Sequence, residues 1–138
     1  MIVTNLDTLH GTERDVHGPT FKSRRFLLAG DGLGYSLNDT VLYAGTTTSM
    51  WYANHKESVY CIEGTGTLKN LENGDVHAIS PGTLYVLDGH EKHELTAQTD
   101  LRMVCVFTPA LTGAEVHDEN GTYPLLSVNG SSAANGDA

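Results

Sequence analysis

Residues 57–88, ESVYCIEGTGTLKNLENGDVHAISPGTLYVLD, decide the fold. Short runs of β-branched, aromatic and aliphatic residues (57–64, 66–71, 76–79 and 84–88) alternate with Gly, Asn, Asp and Pro, and none is long or periodic enough for a helix. LENGD is a hairpin signal, because Asn-Gly accepts the positive φ values of a tight turn. Outward from this block the texture continues. Strands are expected at 23–29, 35–44, 93–97 and 101–107, joined by turn-rich GDGLG, SPGT and DGHEKH. Helix is limited to one short turn near the N-terminus. About eight short strands so connected predict an all-β chain, an antiparallel β-barrel or jelly roll.

The 138-residue length predicts a single domain with a single core, expected at 1–126, while 127–138 (SVNGSSAANGDA) reads as a disordered tail. Eight Lys and Arg against 17 Asp and Glu leave a net charge of −9, which argues against nucleic acid and anionic membrane surfaces as partners. No apolar run approaches a membrane span, and MIVTNLDTLHGTERD lacks the pattern of a signal peptide. A cytoplasmic protein with reduced Cys61 and Cys105 is therefore expected.

Strand parity sorts the side chains. Leu101, Met103, Cys105 and Phe107 share one face and Arg102 points away from it, which makes the odd face the interior. Glu57 lies with Val59 and Cys61, His93 with Leu95 and Ala97, and Tyr85 with Leu87, although both faces of that last strand are apolar. A carboxylate facing a barrel interior is costly unless it is paired or bound to a cation. Blander readings stand beside this one: Tyr85 as an ordinary barrel tyrosine, His93 as a loop cap, His90 as a surface residue, both cysteines as small buried hydrophobes, and GDGLG as a turn.

In YANHKESVYCIEGTG (52–66), Glu57 and Gly64 stand where the first motif of cupin barrels has its glutamate and glycine. Trp51 and Ala53 occupy the positions of that motif's two histidines. SPGTLY keeps the glycine of the second motif as Gly82 and places Tyr85 at its histidine position. The remaining donors are a carboxylate, a phenol and an imidazole, from Glu57, Tyr85 and His93. That mixed set suits Fe(II) or Mn(II), with zinc possible, and three protein ligands leave positions open for substrate. A divalent cation would also lower the tyrosine pKa enough for phenolate ligation.

The blocks SRRFLL, LNDTVLYAGT, ANHKESVYCIEG, SPGTLYVLD and DLRMVCVFTPALTGAEVHDENGTYPL together resemble the ectoine synthases, a family of the cupin superfamily, over residues 1–126. The resemblance implies a hydro-lyase that closes N4-acetyl-L-2,4-diaminobutyrate into the compatible solute ectoine with loss of water. It implies iron held by Glu57, Tyr85 and His93, and a homodimer. It places the substrate pocket on Phe21, Arg25, Asn38, Thr40, Tyr52, Cys105, Phe107, Glu115 and His117, with Tyr52, Glu115 and His117 as catalytic positions. Phe21 departs from the tryptophan of many relatives: a ring remains, but the indole N–H donor is gone. Glu115 and His117, one residue apart, would share a face if AEVHDE is extended, one serving as base and the other as acid. Arg25 has the forked donors to hold a substrate carboxylate, or a structural ion pair. On the residues alone, a metal-free ligand-binding cupin and another iron cupin such as a dioxygenase stay open.

Overall fold

The structure, a computed structural model, describes residues 1–113. It holds ten strands: β1 (Asp15–His17), β2 (Phe21–Leu27), β3 (Ser36–Leu42), β4 (Thr47–Met50), β5 (Lys56–Glu63), β6 (Gly66–Asn70), β7 (Val76–Ile79), β8 (Leu84–Leu87), β9 (His93–Ala97) and β10 (Leu101–Thr108). Two 3-10 turns, Leu6–Thr8 and Ala29–Asp31, are the helical content of the described residues. The expected strands are all present. β1 and β4 are additional, for they are short and lack the apolar runs that marked the others.

Every strand pairing is antiparallel. One six-stranded sheet runs β1-β2-β3-β10-β5-β8 and a four-stranded sheet runs β4-β9-β6-β7. Their inner faces share one core, in which Val59, Cys61, Leu101, Met103 and Phe107 meet Leu68, Ile79, Leu95 and Ala97. The alternation expected of β10 holds along its whole length: Leu101, Met103, Cys105 and Phe107 are buried, and the residues between them are not.

LENGD does close a hairpin, between β6 and β7, but the loop is longer than a two-residue turn. Asn70 N–H donates to Asp75 O, Gly74 N–H to Asn70 O, and the side chains of Asn70 and Asn73 cap Glu72 and Asp75 N–H. Only Gly74 takes a positive φ there, at 82°. Gly64 answers a harder demand at the end of β5. Its φ is 91°, and a Cβ would fall 2.0 Å from the Asp100 carbonyl oxygen, so no side chain fits.

On the opposite face of the six-stranded sheet a charged ladder crosses four strands. Arg24 of β2 and Arg102 of β10 both donate to the Asp39 carboxylate of β3, and Arg102 reaches Glu63 of β5 at 3.3 Å. Burial alone would raise the Asp39 pKa, but the bonds from Arg102 and Arg24 outweigh it and hold the carboxyl below the usual range. The ladder fixes the register that places Asn38 and Thr40 opposite Cys105 and Met103 on the inner face. Asp39→Ala leaves Arg24 buried without its counter-charge and is expected to cost about 3–5 kcal/mol in urea unfolding. Asp39→Asn, which keeps one acceptor, should cost less.

Candidate active site

The inner faces of both sheets converge on a small cavity, about 40 Å³. Its wall includes Phe21, Asn38, Thr40, Tyr52, Glu57, Tyr85, Cys105 and Phe107 from the sequence-derived set, joined by Ser23, Leu42, Thr48, Met50, Leu95 and Met103. Thr48 and Met50 come from β4, a strand that the sequence reading missed. The even burial of its alternate residues was the only local signal, and a run of hydroxyl side chains hides it.

Register explains the convergence. Glu57 pairs with Leu87 and Val59 with Tyr85, so Glu57 and Tyr85 are diagonal neighbours on one face. Cys105 stands between Val59 and Asn38 in the middle of the sheet. His93 comes from β9 in the other sheet, opposite Met50; it is not part of this cavity's wall but lines an adjoining pocket that Tyr85 also borders. Tyr52 bridges the two sides: its ring lies 5.7 Å from that of His93 and 5.1 Å, edge-on, from Phe107, and its hydroxyl donates to the Met50 sulfur at 3.2 Å. The ring of Phe21 is seated on Gly18, where a Cβ would come within 2.4 Å of it.

Glu57 is buried and has no ion-pair partner among the described residues. Burial raises its pKa to about 8, against the weaker opposing pull of a hydrogen bond from Cys105. Ionising it costs roughly 5 kcal/mol more than in water. Burial, and after it the charge of Glu57, also pushes the Tyr85 phenol well above its ordinary range. The Cys105 thiol is raised in the same way, chiefly by burial.

His93 is the most informative residue. Its Nδ1 lies 3.0 Å from the Glu91 carbonyl oxygen, which can only accept, so Nδ1 carries the hydrogen. The buried Nε2 therefore presents a bare lone pair, and it has no hydrogen-bond partner. Burial lowers the pKa of this imidazole, outweighing the Glu91 carbonyl and charge. A neutral imidazole whose distal nitrogen is fixed by a backbone carbonyl is the form that ligates metals. Among the described residues no three of His, Cys, Asp and Glu cluster as a metal site, so the set Glu57, Tyr85 and His93 depends on the phenol. Its residues fit a divalent cation: a carboxyl without counter-charge, a phenol beside it, and an unsatisfied nitrogen.

Two other expectations need placing. Arg25 is buried, and its Nη1 donates to the Gly113 carbonyl at 3.1 Å. It shares the inward parity of Phe21 and Ser23 but is not part of the cavity wall. Glu115, His117 and the 127–138 tail lie outside the described residues. His90, expected at the surface, is instead half-buried and bonded to the backbone of a neighbouring loop. Asn38 adds a buried side-chain oxygen without a partner in the cavity wall.

The titration of Glu57 gives a test on metal-free protein. Above pH 6.5 an unfolded Glu57 is ionised while the folded one keeps its proton to about pH 8. Stability is therefore expected to fall with rising pH across that window, by up to about 1.4 kcal/mol per pH unit, and to level off beyond it. His93, whose folded pKa lies below its ordinary 6.5, contributes a slope of the opposite sign that fades as pH rises above 6.5. Urea unfolding at intervals from pH 6.5 to 8 should show stability falling with pH in the wild type relative to Glu57→Gln, in which the Glu57 contribution is absent.

Comparison with known proteins bears on all of this geometry. The chain matches the ectoine synthase family over residues 1–127. It is 59% identical to the L-ectoine synthase of Thermobifida fusca over 126 residues, covering 91% of this chain and 94% of that one. It is 53% identical to the L-ectoine synthase of Nocardia farcinica over 128 residues, covering 93% and 98% respectively. The crystal structure of ectoine synthase from P. lautus superposes with a TM-score of 0.83 at 54% identity, covering 100% of this chain and 96% of that one. A match over nearly the whole length, joined to a barrel cavity with these side chains, leaves one conclusion: the chain belongs to the ectoine synthase family.

Proposed function

We propose that this chain is a cyclising hydro-lyase that converts N4-acetyl-L-2,4-diaminobutyrate to ectoine with loss of water, on a divalent cation, Fe(II) by preference, held by Glu57, Tyr85 and His93. The family match over residues 1–127 carries the reaction. The buried, partnerless Nε2 of His93 and the uncompensated carboxyl of Glu57, with Tyr85 lining the pockets of both, support the cation.

Ring closure joins the α-amino group to the acetamide carbon of the same molecule, and the former amide oxygen departs as water. When bound, the cation supplies Lewis-acid polarisation of a carbonyl and stabilises negative charge on its oxygen. The rest is the work of the chain. A linear diamino acid must be held curled, amine over carbonyl, and the cavity's confined volume favours that compact form. Asn38 Oδ1, buried and without a partner, accepts an N–H from the substrate, and Thr40 offers a hydroxyl beside it. Phe21, Tyr52 and Phe107 form an aromatic wall that excludes bulk water, which favours a reaction that expels water. Arg25, which lies outside the cavity wall and donates to the Gly113 carbonyl, braces the stretch of chain leading to Glu115 and His117; contact with the substrate carboxylate is what the family resemblance assigns it. Those two residues, with Tyr52, are assigned the proton transfers from the ammonium and to the leaving oxygen.

A homodimer is part of the proposal. Among the described residues β8 ends the six-stranded sheet with no strand on its far side, and Leu84 and Val86 stand exposed along it, with Val76 exposed on β7. An open edge with apolar side chains is a surface that a second copy would cover. A cytoplasmic site of action fits the two free thiols.

With substrate and Fe(II) in the absence of oxygen, ectoine is expected to accumulate, read by chromatography. Turnover that requires oxygen would point instead to an oxygenase, and no turnover to a binding protein. Glu57→Ala should lose both bound metal and cyclisation, by at least about a hundredfold in kcat/KM, since a ligand to the cation is removed. Light scattering should return a dimer for the wild type and a monomer for the double variant Leu84→Lys, Val86→Lys.

A further inference from the structure

The connection between β8 and β9, Asp88–Gly89–His90–Glu91–Lys92, leads directly into His93. Within it His90 is the one non-glycine residue among those described with a positive φ, 58°. A glycine takes that conformation freely; a residue with a Cβ does so under strain. Strain beside a functional site asks for a reason.

The imidazole supplies one. Its Nδ1 lies 2.9 Å from the Tyr52 carbonyl oxygen and 3.2 Å from that of His55. Both oxygens can only accept, so Nδ1 carries a hydrogen and one N–H is shared between them. The loop it reaches, residues 51–55, joins β4 to β5 and has no strand partner of its own. That loop presents Tyr52 to the cavity and runs into Glu57. On its own side the turn is firm: Gly89 N–H donates to the Glu91 carboxylate at 2.6 Å, and the Glu91 carbonyl orients His93. One side chain thus spans the segment that ends in His93 and the segment that carries Tyr52 and leads to Glu57.

We propose that His90 is a positioning residue: its shared N–H locks the 51–55 loop to the 88–92 turn, and so sets Tyr52 against His93 and gauges the distance between Glu57 and His93. What it positions rests on the reading under Proposed function, but the lock itself does not. His90 does not belong to the cavity wall. Its left-handed backbone is the consequence of aiming the ring back across the mouth.

Glycine at this position removes the lock and relieves the strain together, which separates positioning from folding. His90→Gly is expected to melt no lower than the wild type, yet to lose at least tenfold in kcat/KM, mainly in kcat, with iron still bound. Backbone amides of 51–56 should lose protection in hydrogen exchange. His90→Asn, which tolerates the left-handed region and keeps an N–H donor, should recover most of both losses. Wild-type kcat and wild-type exchange in His90→Gly would overturn the proposal. So would an activity loss that only tracks a lower melting temperature and is not rescued by asparagine. A wild type that makes no ectoine would remove the reaction, while the exchange data would still judge the lock.

Discussion

A buried carboxyl group with no counter-charge and a buried imidazole nitrogen with no partner are the constraint around which this barrel is built. Glu57 and His93 come from opposite sheets, and nothing among the described residues neutralises the one or satisfies the other. Interiors seldom tolerate either condition, because each forfeits several hydrogen bonds to water. Here both occur on either side of Tyr85, which lies beside the carboxyl in one cavity and shares the wall of an adjoining pocket with His93. Under the proposed function, Glu57, His93 and Tyr85 would hold a divalent cation, giving up the protons of the carboxyl and the phenol to do so.

The surrounding architecture serves that arrangement. The central position of β10, flanked by β3 and β5, makes Cys105 a neighbour of both Asn38 and the Glu57 strand. The charged ladder through Arg24, Asp39 and Arg102 clamps the same strands from the opposite face, away from the chemistry. Across the cavity a short turn does two jobs. The Glu91 carbonyl sets the tautomer of His93, and the strained His90 reaches back to the loop behind Tyr52. Strands carry Glu57, Tyr85 and His93, and one imidazole ties together the two loops that flank Tyr52 and His93.

Much of this was legible in the residues. The strict alternation of LRMVCVF identified the inner face, and parity alone turned Glu57 and His93 inward. β4 was not legible, because TTSM offers no apolar rhythm although Thr48 and Met50 reach the cavity. The Arg24–Asp39–Arg102 ladder was invisible for another reason: residues 15 and 63 positions apart meet only once strand order and register are known. His90 misled for a third. Its partners lie 35 and 38 residues away on a loop, and no local pattern announces such a bond. Arg25 could be read in two ways, and the hydrogen bond to Gly113 gives it a structural partner without removing the other use. The ligand set itself came from the motif comparison, since a tyrosine on a strand with two apolar faces carries no metal signature of its own.

Cation binding at Glu57, Tyr85 and His93 is expected to release protons. At pH 7 both Glu57 and Tyr85 hold their protons in metal-free protein, by the directions of their pKa shifts. Calorimetric titration of Fe(II) into metal-free protein without oxygen, repeated in buffers of different ionisation enthalpy, counts the protons released per cation bound. The expected result is one cation per chain and about two protons released, falling to about one in either Glu57→Gln or Tyr85→Phe. Tight binding with no proton release, or no binding at all, would contradict it.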